Sequence, residues 1–480
     1  MWKKGVGFLA VCAGVLWFAR SGSVACVRSP VPATEPLSEV ASEPAAESAP
    51  APPPSPEVVS DAVESEPAQW VLGINEAVSY PARRLAMERP GPEVLQRRLE
   101  ADGRAAAEVG ARWTRGHTVA FPAMPYNRFV KESGSFRRVD AWVRAVQVAG
   151  LEIVGMVGPW PGNRTQEFTD RYTPSDMDGY LDYVRAMVER YDGDGVEDMP
   201  GLVAPIRHWE VDNEPDLKST GSPRSTVATG FCPPKEYAAV LVATSAAIRE
   251  AYAEAVVLNA GFYRIAHPAG QAYAQEVFQE PGVMDAVDVV SIHAYHVGPG
   301  VDLVRRAIGN AQRMAPSKPI WLTETSVPAD ARGVGEDGQA RILLETMLLA
   351  LELGVERVFW HTLFDPPSGV PLPRGAMATH SLLRRDAGGQ LVDKPAAPAY
   401  RALSEVLKDL PRSEVAALEL KDGHGVVLGE RGWLVSGRGV RLPVEAKEAR
   451  NLATGEQVDL ERLDSSVRVD ASAGVLFVSR

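Results

Sequence analysis

Two acidic side chains stand at matching points of two strand-like runs. Residues 206–216 read IRHWEVDNEPD, and residues 319–325 read PIWLTET. In the first run Ile206, Trp209 and Val211 give strand character. Pro215 has no N–H and disfavours helix at the residue before it, so the strand is expected to stop at about Glu214. Glu324 holds the same place at the end of the second run. The two acids are 110 positions apart, room for three βα units at about 30 or more residues each. Carboxyl groups at the ends of separated parallel strands can face each other across a barrel mouth. There one can protonate a leaving oxygen while the other attacks an anomeric carbon, which is the chemistry of glycoside hydrolysis.

Positioning them requires a closed parallel barrel, and the chain alternates accordingly. Strand-like runs at 70–74, 111–118, 151–157, 206–214, 255–259, 287–293, 320–324 and 355–363 are interleaved with helical periodicity at 95–109, 139–149, 177–191, 236–253, 301–314, 339–353 and 396–407. The nearly continuous apolar run at 287–293 suits a strand buried on both faces. This α/β pattern predicts a (β/α)8 TIM barrel over residues 69–410. From 411 to 480 the text changes to short strands joined by Gly turns, a small C-terminal antiparallel β domain.

The motifs carry a resemblance. The Asn213-Glu214-Pro215 turn resembles the acid/base strand of the retaining (β/α)8 glycoside hydrolases of clan A, and TETS at 323–326 is similar to that clan's nucleophile strand. WEVDNEPD, SIHAYH and RVFW look closest to its β-xylosidase-type and cellulase-type families. The resemblance spans about residues 70–407. It implies that Glu214 is the acid/base and Glu324 the nucleophile, that Asn213 bonds the sugar's 2-hydroxyl, and that Tyr295 and Arg115 donate to Glu324. Arg112 and Arg115, three apart, should face opposite sides of their strand. His293, beside Tyr295, is expected to contact substrate, and His117 stands between a substrate contact and a structural residue. Trp360, closing the apolar run of the eighth strand, is expected to stack on a sugar ring; Trp160, in a Pro/Gly loop, is a weaker candidate of the same kind. Glu210 and Asp212 share strand parity with Glu214 and, if buried, need partners.

Composition narrows the partners. Fifty basic and 62 acidic residues leave a formal charge of −12, with no basic stripe for nucleic acid. Lys3 and Lys4 precede an apolar run at 6–19, and Ser23-Val24-Ala25 is a small-residue cleavage site, so 1–28 reads as an export signal. Cys26 follows directly, which suggests a lipoprotein anchor; Ser23 and Arg20 depart from that pattern, and the mature chain is either envelope-held or secreted. Residues 29–68, rich in Pro, Ala, Ser and Glu, carry eight acidic and no basic side chains and read as an extended tether. Of three cysteines, Cys232 is read as an ordinary loop residue. No Cys/His cluster or phosphate-cradling glycine loop calls for a metal or cofactor. The expected partner is a carbohydrate. Alternatives are a non-catalytic cell-surface carbohydrate-binding protein on the same scaffold, or a transglycosidase.

Overall fold

The computed structural model describes residues 69, 71–75, 77, 91–116, 126, 129, 134–159, 172–220, 232–296, 300–330, 333–365, 379–386 and 390–480. Residues 1–68, on which the export-signal and tether expectations fall, and His117 and Trp160 lie outside them. Residues 64–480 form one compact unit. Among the described residues no helix is long and apolar enough to cross a membrane.

Eight parallel strands make the barrel: β1 Val71–Asn75, β2 Trp113–Arg115, β3 Glu152–Val157, β4 His208–Val211, β5 Val256–Asn259, β6 Val290–His293, β7 Ile320–Thr325 and β8 Arg357–His361. Each pairs with its sequence neighbour, and β1 pairs with β8. Closure between β5 and β6 comes from bridges at Leu258–Val289 and Phe262–Ile292. Between the strands run helices at Pro92–Glu108, Arg137–Val148, Met177–Glu189, Pro234–Ala251, Asp302–Met314, Gly335–Glu352 and Ala396–Leu407. Pro92 and Pro234 open two of them, where a missing N–H costs nothing and the fixed φ suits the first turn. Asp176 caps another, its side chain accepting from Gly179 N at 2.9 Å. Helix Asp302–Met314 buries Val304, Ala307, Ile308 and Ala311, one stripe at helical spacing.

Two further helices, Pro268–Gln279 and Val283–Ala286, fill the span between β5 and β6. The periodicity reading passed over them, although Pro268 at the first turn is a helix-start signal.

Helix Gly335–Glu352 is buried on nearly all sides, including Leu343, Leu344, Met347, Leu348 and Leu351. The cause is that it is sandwiched between the barrel and the C-terminal sheet, touching β9 Val415–Ala417, β10 Gly423–Leu428 and β12 Val467–Ser479. That antiparallel sheet also contains β11 Gly432–Leu442, which pairs with β12. Trp433 lies in its own small core and is 1% exposed, so it packs the sheet and offers no binding face.

Candidate active site

The β4 turn is tighter than its sequence suggests. The strand ends at Val211, not near Glu214. Asp212 and Glu214 then adopt φ of 71° and 49°, the left-handed region that non-glycine residues rarely enter. Such strain of about 1–3 kcal/mol per residue persists where surroundings enforce it, and it concentrates at functional sites. Here the enforcing contacts are visible. Pro215 opens a short helix, Pro215–Thr220, instead of merely ending the strand. Asp216 in its first turn accepts backbone hydrogen bonds from Tyr263 at 3.1 Å and Arg264 at 2.6 Å, clamping the turn to the loop after β5. Burial raises the Asp216 carboxyl to about 6 against those backbone donors. Asp212 no longer follows strand parity. It is fully buried, accepts from Tyr172 Oη at 2.7 Å and holds the Asn213 N–H at 2.7 Å.

Glu324 reaches the barrel interior through a break in alternation. Against β6 the register runs from Ile292–Leu322 directly to His293–Glu324, and against β8 from Leu322–Val358 to Thr325–Trp360. One extra residue is thus accommodated in β7. Strict alternation from inward Trp321 would send Glu324 outward; the bulge lets Thr323 and Glu324 both face inward.

Arg115 ties these parts together. It is fully buried, whereas Arg112 is exposed, as opposite strand faces require. Its Nη1 donates to Glu324 Oε1 at 2.7 Å, its Nη2 to Asn213 Oδ1 at 2.8 Å, and its Nε to Glu210. Burial pulls the guanidinium down, but the charges of Glu210 and then Glu324 outweigh it, and the group stays cationic. Glu210 therefore faces inward as parity predicts, and its partners are Arg115 and Ser291, whose Oγ donates to it at 2.7 Å. The Tyr295 hydroxyl donates to the other oxygen of Glu324. Burial, followed by the charges of Glu324 and Glu214, lifts Tyr295 well above the ordinary phenol range, so it remains a donor.

His293 bridges the two acids. Its Nδ1 is 3.0 Å from Glu214 Oε1 and 3.6 Å from Glu324 Oε2. Gly261 makes room for the ring: a Cβ there would lie 2.0 Å from His293 Nε2. One donor atom from each of Glu214, His293 and Glu324 lies within 4.8 Å of the others. Such a trio could ligate a cation, but Arg115 and Tyr295 already donate to the two Glu324 oxygens, and a second cation beside the guanidinium is repelled.

Trp360 is not brought to this cluster. It has zero exposure, packs in the layer between barrel and helices, and its indole N–H donates to His380 O at 2.9 Å. The expectation of ring stacking is corrected by parity. Phe359 points inward among Trp113, Trp321 and Leu258, so Trp360 points out and His361 points in. His361 Nδ1 lies 2.9 Å from Asn75 Nδ2, and its ring meets Tyr295 edge-on at 5.9 Å. Asn75 Oδ1 in turn accepts from Arg115 at 3.4 Å. Asn75 and His361 were both missed from sequence; counting alternate residues from Phe359 would have found His361.

Residues 211–388 match a family model described as the glycosyl hydrolase catalytic core. No curated protein sequence matches the chain. Among solved structures, AbfB, a family 51 α-L-arabinofuranosidase from Bifidobacterium longum, is 14% identical with a TM-score of 0.53, covering 87% of this chain and 97% of its own. A GH39 β-xylosidase from Caulobacter crescentus is 17% identical with a TM-score of 0.50, covering 85% and 95%. The GH39 enzyme from Xanthomonas axonopodis pv. citri is 16% identical with a TM-score of 0.50, covering 86% and 92%. At these identities the likeness is one of fold. Together with the matched core it supports a glycosidase.

Proposed function

We propose that this chain is an exported retaining glycoside hydrolase that cleaves β-glycosidic bonds by double displacement. The observation carrying the proposal is the pair Glu214 and Glu324, with carboxylate oxygens within 4.8 Å of each other across one barrel mouth. That suits retention, which uses carboxyls about 5–5.5 Å apart, better than inversion, which leaves room for water at about 6.5–9.5 Å.

In the first step Glu214 gives its proton to the glycosidic oxygen as Glu324 attacks the anomeric carbon. A glycosyl ester forms and the alcohol leaves. In the second step Glu214 removes a proton from water, which attacks the same carbon and releases Glu324. Arg115 and Tyr295 steady the Glu324 carboxylate. Arg115 can only donate, so the Asn213 oxygen must face it and the amide nitrogen is turned to donate to a sugar hydroxyl. No step requires a cofactor. In this proposal residues 1–28 direct export, and the body is either held by a lipid on Cys26 or released.

The test is Glu324→Ala with azide and an activated aryl β-glycoside. The expected product is the glycosyl azide of inverted configuration, whereas Glu214→Ala with azide gives the retained one. Absence of the inverted azide from the Glu324 variant counts against its role as nucleophile.

A further inference from the structure

We infer that Glu210, a third carboxylate beneath the reacting pair, is a positioning residue that divides the charge of Arg115 with Glu324 and so sets how tightly the nucleophile is held. The inference rests on the glycosidase reading. Glu210 has zero exposure, and both its oxygens are taken up by protein donors, Oε2 by Arg115 and Oε1 by Ser291. One guanidinium serves two carboxylates: Nε to Glu210, Nη1 to Glu324. With Nη2 on Asn213, all three edges of its plane are occupied, so the fork cannot swivel.

A second route joins the same two acids. Ser291 donates to Glu210 Oε1, and its hydroxyl lies 2.6 Å from that of Thr323. Thr323 is the inward residue just before Glu324 in the bulge of β7. Glu210 thus holds the nucleophile's cation on one side and, through Ser291, the side chain of the residue before the nucleophile on the other. Among the described residues the charged and titratable groups around this cluster include Arg115 on β2, Glu324 on β7, Glu214 after β4, His293 and Tyr295 at β6, His361 on β8, and Tyr237 on helix Pro234–Ala251.

Glu210→Gln tests the charge while keeping the shape. Its amide oxygen can still accept from Arg115, and its nitrogen can face Ser291. The buried cluster then holds Arg115 with Glu324 as its contacting carboxylate, a balanced pair, so folding should survive. The undivided cation keeps Glu324 ionised to lower pH and dampens its attack. The acid limb of kcat/KM should move down by about one pH unit, and inactivation by a 2-deoxy-2-fluoro glycoside should slow about tenfold or more, with KM little changed. Glu210→Asp should restore the acid limb. A wild-type acid limb and inactivation within about twofold in Glu210→Gln would overturn the inference, as would an equal shift in Glu210→Asp.

If the glutamine variant does not fold, Ser291→Ala carries the test. Inactivation slowed about threefold at an unchanged Tm supports the inference; wild-type inactivation overturns it. Wild-type inertness toward every aryl glycoside would instead sink the glycosidase reading. Carboxyl-13C titration of Glu324 reads the charge effect without turnover. A lower midpoint in Glu210→Gln supports the inference, and an unmoved midpoint overturns it.

Discussion

The barrel interior has two levels built from the same strands, one alternation apart. At the floor, Trp113, Trp321 and Phe359 pack with Val154, Leu258 and Val289. His208 joins them, 4.9 Å from the Trp113 ring, and Arg357 stacks 4.1 Å from the same indole. Gly73 leaves the space the Phe359 ring fills, for a Cβ would sit 2.4 Å from it. At the mouth, the next inward positions are Arg115, Glu210, Glu324 and His361. The floor is held by shape and dispersion, the mouth by charge-assisted hydrogen bonds. Stability should therefore reside in the lower level and chemistry in the upper, and substitutions should separate the two.

The largest contrast is between neighbours on β7. Glu324→Gln should lower kcat/KM by about 10⁴-fold or more and leave Tm within a few degrees. Trp321→Ala, three residues earlier, should cost about 3–5 kcal/mol of stability while the folded fraction keeps its turnover. Denaturant titration beside kinetics reads both; equal stability losses would erase the distinction between levels.

Glu214→Gln comes next. Hydrolysis of substrates with poor leaving groups should fall about 10³-fold, whereas formation of the intermediate from a dinitrophenyl glycoside should change far less. A uniform loss across leaving groups would deny Glu214 its acid role.

Gly261→Ala is smaller and sharper. The new Cβ forces the His293 ring away from Glu214, at a cost of about 1–3 kcal/mol, seen as roughly a tenfold or greater loss on substrates that need protonation. Placed on a His293→Ala background the same change should have little effect. Additive losses would mean that Gly261 acts elsewhere.

The smallest effect belongs to the floor. Burial, with help from Arg357, lowers His208 to about 3, below its unfolded value near 6.5. The unfolded chain therefore binds a proton that the folded one refuses, and stability falls as pH drops from about 6.5 toward 3. His208→Phe should remove up to one proton's worth of that slope in a pH series of urea melts. An unchanged slope would place the acid sensitivity elsewhere.

Much of this was legible in the chain. Glu214 and Glu324 announced themselves by motif, and the partners Arg115, Asn213, His293 and Tyr295 followed from the resemblance. The eight strands were visible as β-branched runs, with ends displaced by a few residues. Where reading failed, a local irregularity or a parity was responsible. The bulge at Thr323–Glu324 and the left-handed residues Asp212 and Glu214 leave no periodic trace, since contacts from other strands impose them. Tryptophan suits sugars by residue type, yet the position of Trp360 on β8 turns it toward the helices. The apolar run of β1 ends at Ile74, which gives no sign that the strand carries on to Asn75.

Peptide mapping after covalent trapping tests the central claim most directly. Incubation with a dinitrophenyl 2-deoxy-2-fluoro-β-glycoside of the preferred sugar should add one fluoro-sugar per chain, on the peptide and side chain of Glu324. Turnover-dependent labelling at any other residue, or steady hydrolysis with no trapped adduct, would contradict it.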